Sequence, residues 1–504
     1  MTTIIDIQAL INQSSSATDR FFRLKQASDN LRNAGVNDIT FSAPPTGGGI
    51  LDLEIPSNDK NPIRLVPHVD FNGWTINIKN NVDYVSLFEY ELRGQKKIFD
   101  AHITKEQIDS GDFSEEPELS TGKKLLIVRD LQEWTYRTDS NNTISYKRSD
   151  AILIKNGKAV NKPIAPYNTP STVINYEYYN LDSEEPALFE NLKVIRDDTS
   201  TARTVVFNAK GHDDITFKNI NVSSGNYDKL RDIGYDEVFQ IIECSNVRFD
   251  NIVVNGTYSK YDKAGYAFYM ESVFNSYFND VTAYGYWGVF GNHYLNRVHL
   301  NNCNLNRFDI HGYGRDVICV NCTFHNELTY PNNEVTTSNP NRYNQLGAFY
   351  GTIAFHQCKF INFFPLLIDP SYHTYTGFDF VMYGCRLTPN PENTIIKIGE
   401  LETGDGKRTE LKKTCWPNIR IIDLILDGFT PGTNLLIFKT TSTESEISAC
   451  PVAYISEVSV SLGSDSDAGV NILFANSPNI KVENEINFKS ANDGIIVSNL
   501  PTHI

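Results

Sequence analysis

No stretch of this 504-residue chain is long and apolar enough to span a bilayer. Its opening, Met1-Thr2-Thr3-Ile4-Ile5-Asp6, has neither the basic start nor the apolar run of a secretory signal. These absences predict a chain that does not insert into a membrane and is made in the cytoplasm. To act outside the cell, such a protein would leave by lysis, within a virion or through an injection machine. A surplus of positive charge is also missing. With 45 basic and 61 acidic residues the formal net charge is −16, which repels nucleic acid and anionic membranes over most of the surface, so neither is expected as a partner. A neutral glycan meets no such barrier, and an anionic one needs only a local basic cleft.

The chemical signatures of common enzymes are absent too. There is no P-loop, dinucleotide fingerprint, Gly-x-Ser-x-Gly elbow or His-Glu-x-x-His helix, so phosphoryl transfer, hydride transfer and the familiar hydrolase templates have no support and no cofactor is expected. What the chain has is length and aromatics. At 504 residues it exceeds the size at which one globular core stops growing, which leaves several domains or one elongated array. The 26 Tyr and 29 Phe supply core and surface for either.

Residues 1–40 read as a helical cap. Phe21, Leu24, Ala27 and Leu31 recur at helical spacing between a Thr18-Asp19 start and a Gly35 stop. Residues 41–210 read as the first strands of an elongated sheet structure, interrupted at about 84–170 by an irregular inserted lobe with an Asn156-Gly157 hairpin turn. From residue 211 to 465 one short template recurs: apolar, any, apolar, any, Asn or similar, apolar or Cys, any, apolar. Copies include Ile215-Phe217-Asn219-Ile220-Val222, Val247-Phe249-Asn251-Ile252-Val254, Val298-Leu300-Asn302-Cys303-Leu305, Val317-Cys319-Asn321-Cys322-Phe324 and Ile353-Phe355-Gln357-Cys358-Phe360. Residues 466–504 would be the final coils or a C-terminal cap.

Repeats about 20 to 40 residues apart with period-2 alternation suit the coils of a β-solenoid, about nine of them, rather than a helical array. The predicted fold class is therefore all-β, a right-handed parallel β-helix with an N-terminal capping helix and an inserted lobe. The recurring Asn is expected to bond to its counterpart in the next coil and so satisfy amides that would be costly to bury. Cys303, Cys319, Cys322 and His325 have a spacing superficially like a zinc site. However, Cys303, Cys322, Cys358 and Cys385 share one template position, which predicts a buried column of thiols and no metal.

A second short strand precedes each copy, as in Ala267–Glu271, Arg307–His311 and Leu366–Asp369. Alternation would turn Glu271, Arg307, Asp309, His311, His293 and Asp369 onto one outward face, beside Trp287, Tyr294 and Tyr313. Two carboxylates such as Glu271 and Asp309 can hydrolyse a glycosidic bond. A lyase would instead use a cation such as Arg307 and a base such as His311 or a tyrosine. The candidate catalytic residues are thus Glu271, Asp309, His311 and Arg307. Trp287, His293, Tyr294, Tyr313 and Asp369 are candidate substrate contacts. Both chemistries can be drawn on this patch, and each residue also has a purely structural use: an ion pair, a turn cap or core filling.

With these features in hand the chain resembles the pectate-lyase-like β-helix proteins, and within them the phage and prophage tailspike depolymerases. The opening helix with Ala34-Gly35, then Ile39-Thr40-Phe41 and Gly47-Gly48-Gly49, is similar to the start of many such β-helices. The stretch from Trp287-Gly288-Val289-Phe290-Gly291 through Asn302 to Gly312 resembles a segment of phage tail proteins. The resemblance implies recognition of a bacterial surface polysaccharide, a homotrimer, and action outside the cell as a virion tail component. It carries over no catalytic pair. Attachment to a particle would use the helix, the lobe or an adaptor protein. Depolymerase, non-catalytic receptor-binding tail protein and free bacterial enzyme stand as the alternatives.

Overall fold

The computed structural model describes residues 2–59, 61–80, 85–91, 96–98, 103–139, 142–163, 174–196, 204–224, 236–255, 265–284, 288–310, 312–325, 343–347, 349–368, 376–398, 417–430, 432–440, 453–461, 470–475, 486–490 and 495–498. Among them, 32 strands join through in-register parallel ladders, and five more form a separate sheet. The fold is the right-handed parallel β-helix that the template predicts.

Three stacks of strands wrap each coil. One runs from Val85–Glu91 through Thr204–Lys210 and the first halves of Asp236–Asn255, Gly265–Asn279 and Gly288–Asn301, then through Asp309–Ile310, Tyr343–Leu346 and Phe364–Ile368. The second contains the apolar start of each template copy, with Ile215, Val247, Ser276, Val298, Val317, Ile353, Phe380 and Ile419 in one register column. The third carries its tail, with Leu305, Phe324, Phe360, Leu387 and Leu426 aligned.

The chain turns from the second stack to the third at the Asn-like position. Asn191, Asn219, Asn251, Asp280, Asn302, Asn321, Gln357 and Asp423 all have positive φ, between 53° and 62°, the left-handed conformation that Asn and Asp tolerate best. Asn251 Nδ2 donates to Asn219 Oδ1 at 2.8 Å and Asn219 Nδ2 to Asn191 Oδ1 at 3.0 Å. These bonds lie at an exposed corner, which corrects the expectation of buried amides. Asn recurs because the backbone must bend there; the amide ladder is a secondary gain.

Inside the coils, Phe side chains stack in two columns. Phe207, Phe239 and Phe268 follow one another at 5.5 and 5.1 Å, and Phe217, Phe249 and Phe278 at 5.3 and 4.8 Å, with edge contacts between columns. Offset and edge-on aromatic pairs add about 0.5–1.5 kcal/mol each beyond area burial. Two helices, α1 (Ile7–Gln13) and α2 (Ala17–Asn33), are N-capped by Asp6 and Ser16. Phe21 and Leu24 of α2 enter the same core, so this helix covers the first coils.

The thiols stack as their shared position predicts. Backbone bonds from Thr323, Lys359 and Arg386 to the carbonyls of Cys303, Cys322 and Cys358 set these cysteines and Cys385 one above another, all buried. Burial pushes the thiol of Cys244 up to about 12 and raises that of Cys319. Iodoacetamide at mildly alkaline pH is therefore expected to leave Cys244, Cys303, Cys319, Cys322, Cys358 and Cys385 unmodified in the native protein and to label all six in denaturant. Peptide mass spectrometry reads both states. Labelling of the native column would contradict this packing.

Candidate functional site: a lobe-flanked sheet face

The inserted lobe is a five-stranded antiparallel sheet, built from Lys97–Ile98, Lys123–Asp139, Asn142–Lys155, Lys158–Ala159 and Ile174–Asn180. Its two faces do different things. Leu126, Val128, Ile152 and Ile154 pack with Ile108 of α3 (Lys105–Ser110) into the lobe's own core, whereas Leu125, Ile127, Ala151 and Leu153 pack onto Phe274 of the β-helix. The runs Leu125–Val128 and Ala151–Ile154 are apolar at every position because both faces are covered. That unbroken run was the available sequence signal for docking, and the sequence reading did not use it.

Polar contacts fix the dock along a corner of the coils. Ser149 Oγ meets Ser272 Oγ at 3.0 Å, Asn296 Nδ2 donates to the Lys162 carbonyl at 2.8 Å, and Lys96 Nζ donates to Glu243 at 3.1 Å. Arg129 and the Tyr179 hydroxyl also donate to Glu243, and Glu177 bridges Lys96 and Arg129. Burial pushes the Glu243 carboxyl up, but the Tyr179 bond and the charges of Lys96 and Arg129 outweigh it and hold the group below its ordinary value. The docked lobe thereby walls one side of the sheet face predicted as the groove.

On that face Glu271 and His293 are register partners in adjacent coils, both half-buried. Tyr269 Oη donates to Glu271 Oε2 at 3.2 Å. Ser272, which bonds the lobe, follows Glu271 directly, so the carboxylate stands at the foot of the wall. Gly312 covers His293 closely; a Cβ there would lie 2.7 Å from Nδ1. Glycine is what lets the backbone approach the imidazole.

The other predicted residues sit differently. Asp309 is turned away from the coil interior, since its neighbours Phe308 and Ile310 lie in the core, yet it and Arg307 are both 0% exposed. Arg307 pairs with Asp309, donates to Gln345 Oε1 at 2.9 Å, and lies 5.2 Å from the centroid of Tyr343. Burial opposes the guanidinium charge, but Asp309 and the neighbouring tyrosines raise its pKa above the ordinary value. A Cβ at Gly291 would lie 2.2 Å from the Tyr266 ring, so the ring fills the space beside Asp309 that a side chain would take. The expectation that Arg307 and Asp309 lie on an open surface is thus corrected: a non-local cover of Tyr266 and Tyr343 encloses them.

Glu271 and Asp309 are two coils and two residues apart in register. At about 4.8 Å per coil and 3.3 Å per residue, their backbones are roughly 12 Å apart. A hydrolytic carboxylate pair needs about 5–9.5 Å between carboxyl groups, and Asp309 is committed to Arg307. Tyr313 (0% exposed) and Tyr294 (7%) stack on each other at 6.0 Å beside Tyr350, as a covered cluster rather than an open sugar platform. Trp287, His311 and Asp369 lie outside the described residues.

No family profile matches the chain, and no curated protein matches it. Among solved structures, the tailspike protein of Pseudomonas phage LKA1 is similar in fold, with a TM-score of 0.57 at 12% identity over 96% of this chain and 76% of that one. The tailspike of Pseudomonas phage phi297 gives 0.47 at 10% identity over 95% and 84%. That of Acinetobacter baumannii bacteriophage AP22, solved with a capsular saccharide, gives 0.38 at 12% over 99% and 76%. At 12% identity the likeness to the phage LKA1 protein is one of fold.

Proposed function

We propose that the chain is a tailspike-type tail component that binds a bacterial surface polysaccharide along the lobe-flanked face and cleaves a glycosidic bond there. The observation that carries this reading is the juxtaposition of Glu271 and His293, two solvent-reaching titratable groups on adjacent coils of a rigid sheet, at the foot of a wall fixed by the Ser149–Ser272 contact. Convergent polar groups in a flanked depression are the common form of a ligand site. The shared fold with a phage tailspike supports it at the level of architecture. Glu271 would protonate the leaving oxygen or activate water, with His293 as the second proton-transfer group.

A homotrimer fits the outer surface of the second stack. Ile318 and Val381 align in one outward column on either side of the buried Ala354, and Val320, His356, Tyr383 and Ile422 form the next. A mostly apolar strip with a few polar groups suits contact between copies. Such a trimer would be attached to a particle directly or through an adaptor protein.

The burial of Arg307 with Asp309 favours a second reading, in which the face binds glycan without cutting it. Incubation with a panel of purified bacterial polysaccharides separates the readings. New reducing ends without ultraviolet absorbance indicate hydrolysis, and both together indicate elimination. Binding of at least one polysaccharide with neither product sinks the cleavage half, and no binding by any capsular or surface glycan of the panel sinks the whole reading.

A further inference from the structure

A cleft lies three coils toward the N-terminus on the same stack, where α2, the early coils and the lobe meet, with Glu91 in the register column of Glu271. It is a cavity of about 470 Å³, lined in part by Arg32, Tyr90, Glu91, Asn180, Glu184 and His212. That volume is within the roughly 300–1,000 Å³ range of small-molecule sites. Its walls come from separate parts of the chain: Arg32 from α2, Tyr90 and Glu91 from Val85–Glu91, and Asn180 from the last lobe strand.

The deepest group is His212, 1% exposed, whose ring stacks on Tyr90 at 4.0 Å. Its Nε2 is buried and has no hydrogen-bond partner among the described residues. Leaving a buried polar nitrogen unsatisfied is costly, so a ligand group supplied there would be held well. Burial first, and the nearby Arg32 charge second, push the imidazole down to about 3. It is therefore neutral in the physiological range, and with the ring also bonded to the Tyr90 backbone, Nε2 is left to accept from a ligand hydroxyl.

The lining mixes charges. Arg32 and Lys97 face Glu91, Glu184 and Glu185, with amide and hydroxyl groups from Asn37, Asn180 and Ser183 between them. A strongly ionic ligand of either sign would meet its own charge. A neutral polyhydroxylated ligand uses both signs, because carboxylates accept from its hydroxyls while Arg, Lys and amides donate to them. We propose that this cleft is a further saccharide site that takes one or two neutral sugar units, three coils or roughly 14 Å along the stack from Glu271.

The test uses the full chain with 15N-labelled histidine and a panel of mono- to trisaccharides of glucose, galactose, N-acetylglucosamine and rhamnose. The His212 imidazole nitrogen signals are expected to shift on titration with at least one sugar. Ser183→Trp, at an exposed turn on the rim, is expected to fill the cleft and weaken that response about tenfold or more, with circular dichroism unchanged. Absence of any His212 shift across the panel overturns the proposal, as does an undiminished shift in a folded Ser183→Trp variant. Cleavage or retention of polysaccharide at the Glu271–His293 position is measured on the same variant and stays at the wild-type level, so failure of one site is distinguishable from failure of the other.

Discussion

Asp309→Ala lowers the stability of the central coils by about 3–5 kcal/mol, the characteristic penalty for removing one member of a buried ion pair. Arg307 and Asp309 are both 0% exposed, and the guanidinium shares its donors between Asp309 and Gln345. Without the carboxylate, the guanidinium charge stays enclosed beside Tyr343, with the neutral Gln345 still accepting from it. By contrast, the exposed pair Arg386–Asp427, 2.9 Å apart with 48% and 35% exposure, is worth no more than about 1 kcal/mol. The double variant Arg307→Met/Asp309→Leu removes both charges and recovers most of the loss, since replacing a whole buried pair by apolar groups is often neutral. Limited proteolysis is the suitable measurement, because a stacked array does not unfold as one two-state unit. Cleavage near residue 310 in Asp309→Ala, reversed in the double variant, is the expected pattern. An Asp309→Ala protein with wild-type protease resistance and lost glycan cleavage would instead make Asp309 catalytic.

Glu271→Gln is expected to reduce glycan cleavage by about 10²–10⁴-fold, the usual contribution of a general acid or base, while polysaccharide affinity changes by only a few-fold. Glutamine keeps the shape and the acceptor oxygen for Tyr269 Oη, so the lobe contact at Ser272 and the coil register are preserved. Glu271 is half-buried and outside the core, so the melting temperature stays within about a degree or two of wild type. Tyr269→Phe removes the donor without touching the carboxylate. If Tyr269 is a positioning residue, its loss shifts the pH profile of cleavage more than it lowers the maximal rate. Full activity in Glu271→Gln would remove this residue from the mechanism.

The coils were legible because their pattern is local. Period-2 alternation with an Asn-like residue at each left-handed corner is contained within eight residues, and the shared position just after that corner puts Cys303, Cys322, Cys358 and Cys385 into one column. The sequence reading pairs Glu271 with Asp309; the register instead sets His293 opposite Glu271. The cover over Arg307 and Asp309 is different in kind. Tyr266 reaches across Gly291 from the preceding coil, and Tyr343 comes from the following one, so burial there depends on side-chain packing between coils that period-2 reading cannot see. The early coils were obscured by sequence separation. Val85–Glu91 pairs in register with Thr204–Lys210, and the whole lobe lies between them in the chain. Docking of the lobe was written in its strands that lack alternation, but the partner surface around Phe274 and Ser272 was not.

The left-handed corners also turn the protein into a ruler. Each bend begins the next turn of chain at the same angular position, however many residues the preceding loop contained. Groups at one template position therefore recur along the axis at about 4.8 Å, a pitch close to the length of one pyranose unit in an extended glycan. A polymer lying along the rod would find each sugar opposite a new coil, so a change of side chain in one coil alters the fit of one unit while its neighbours stay in step.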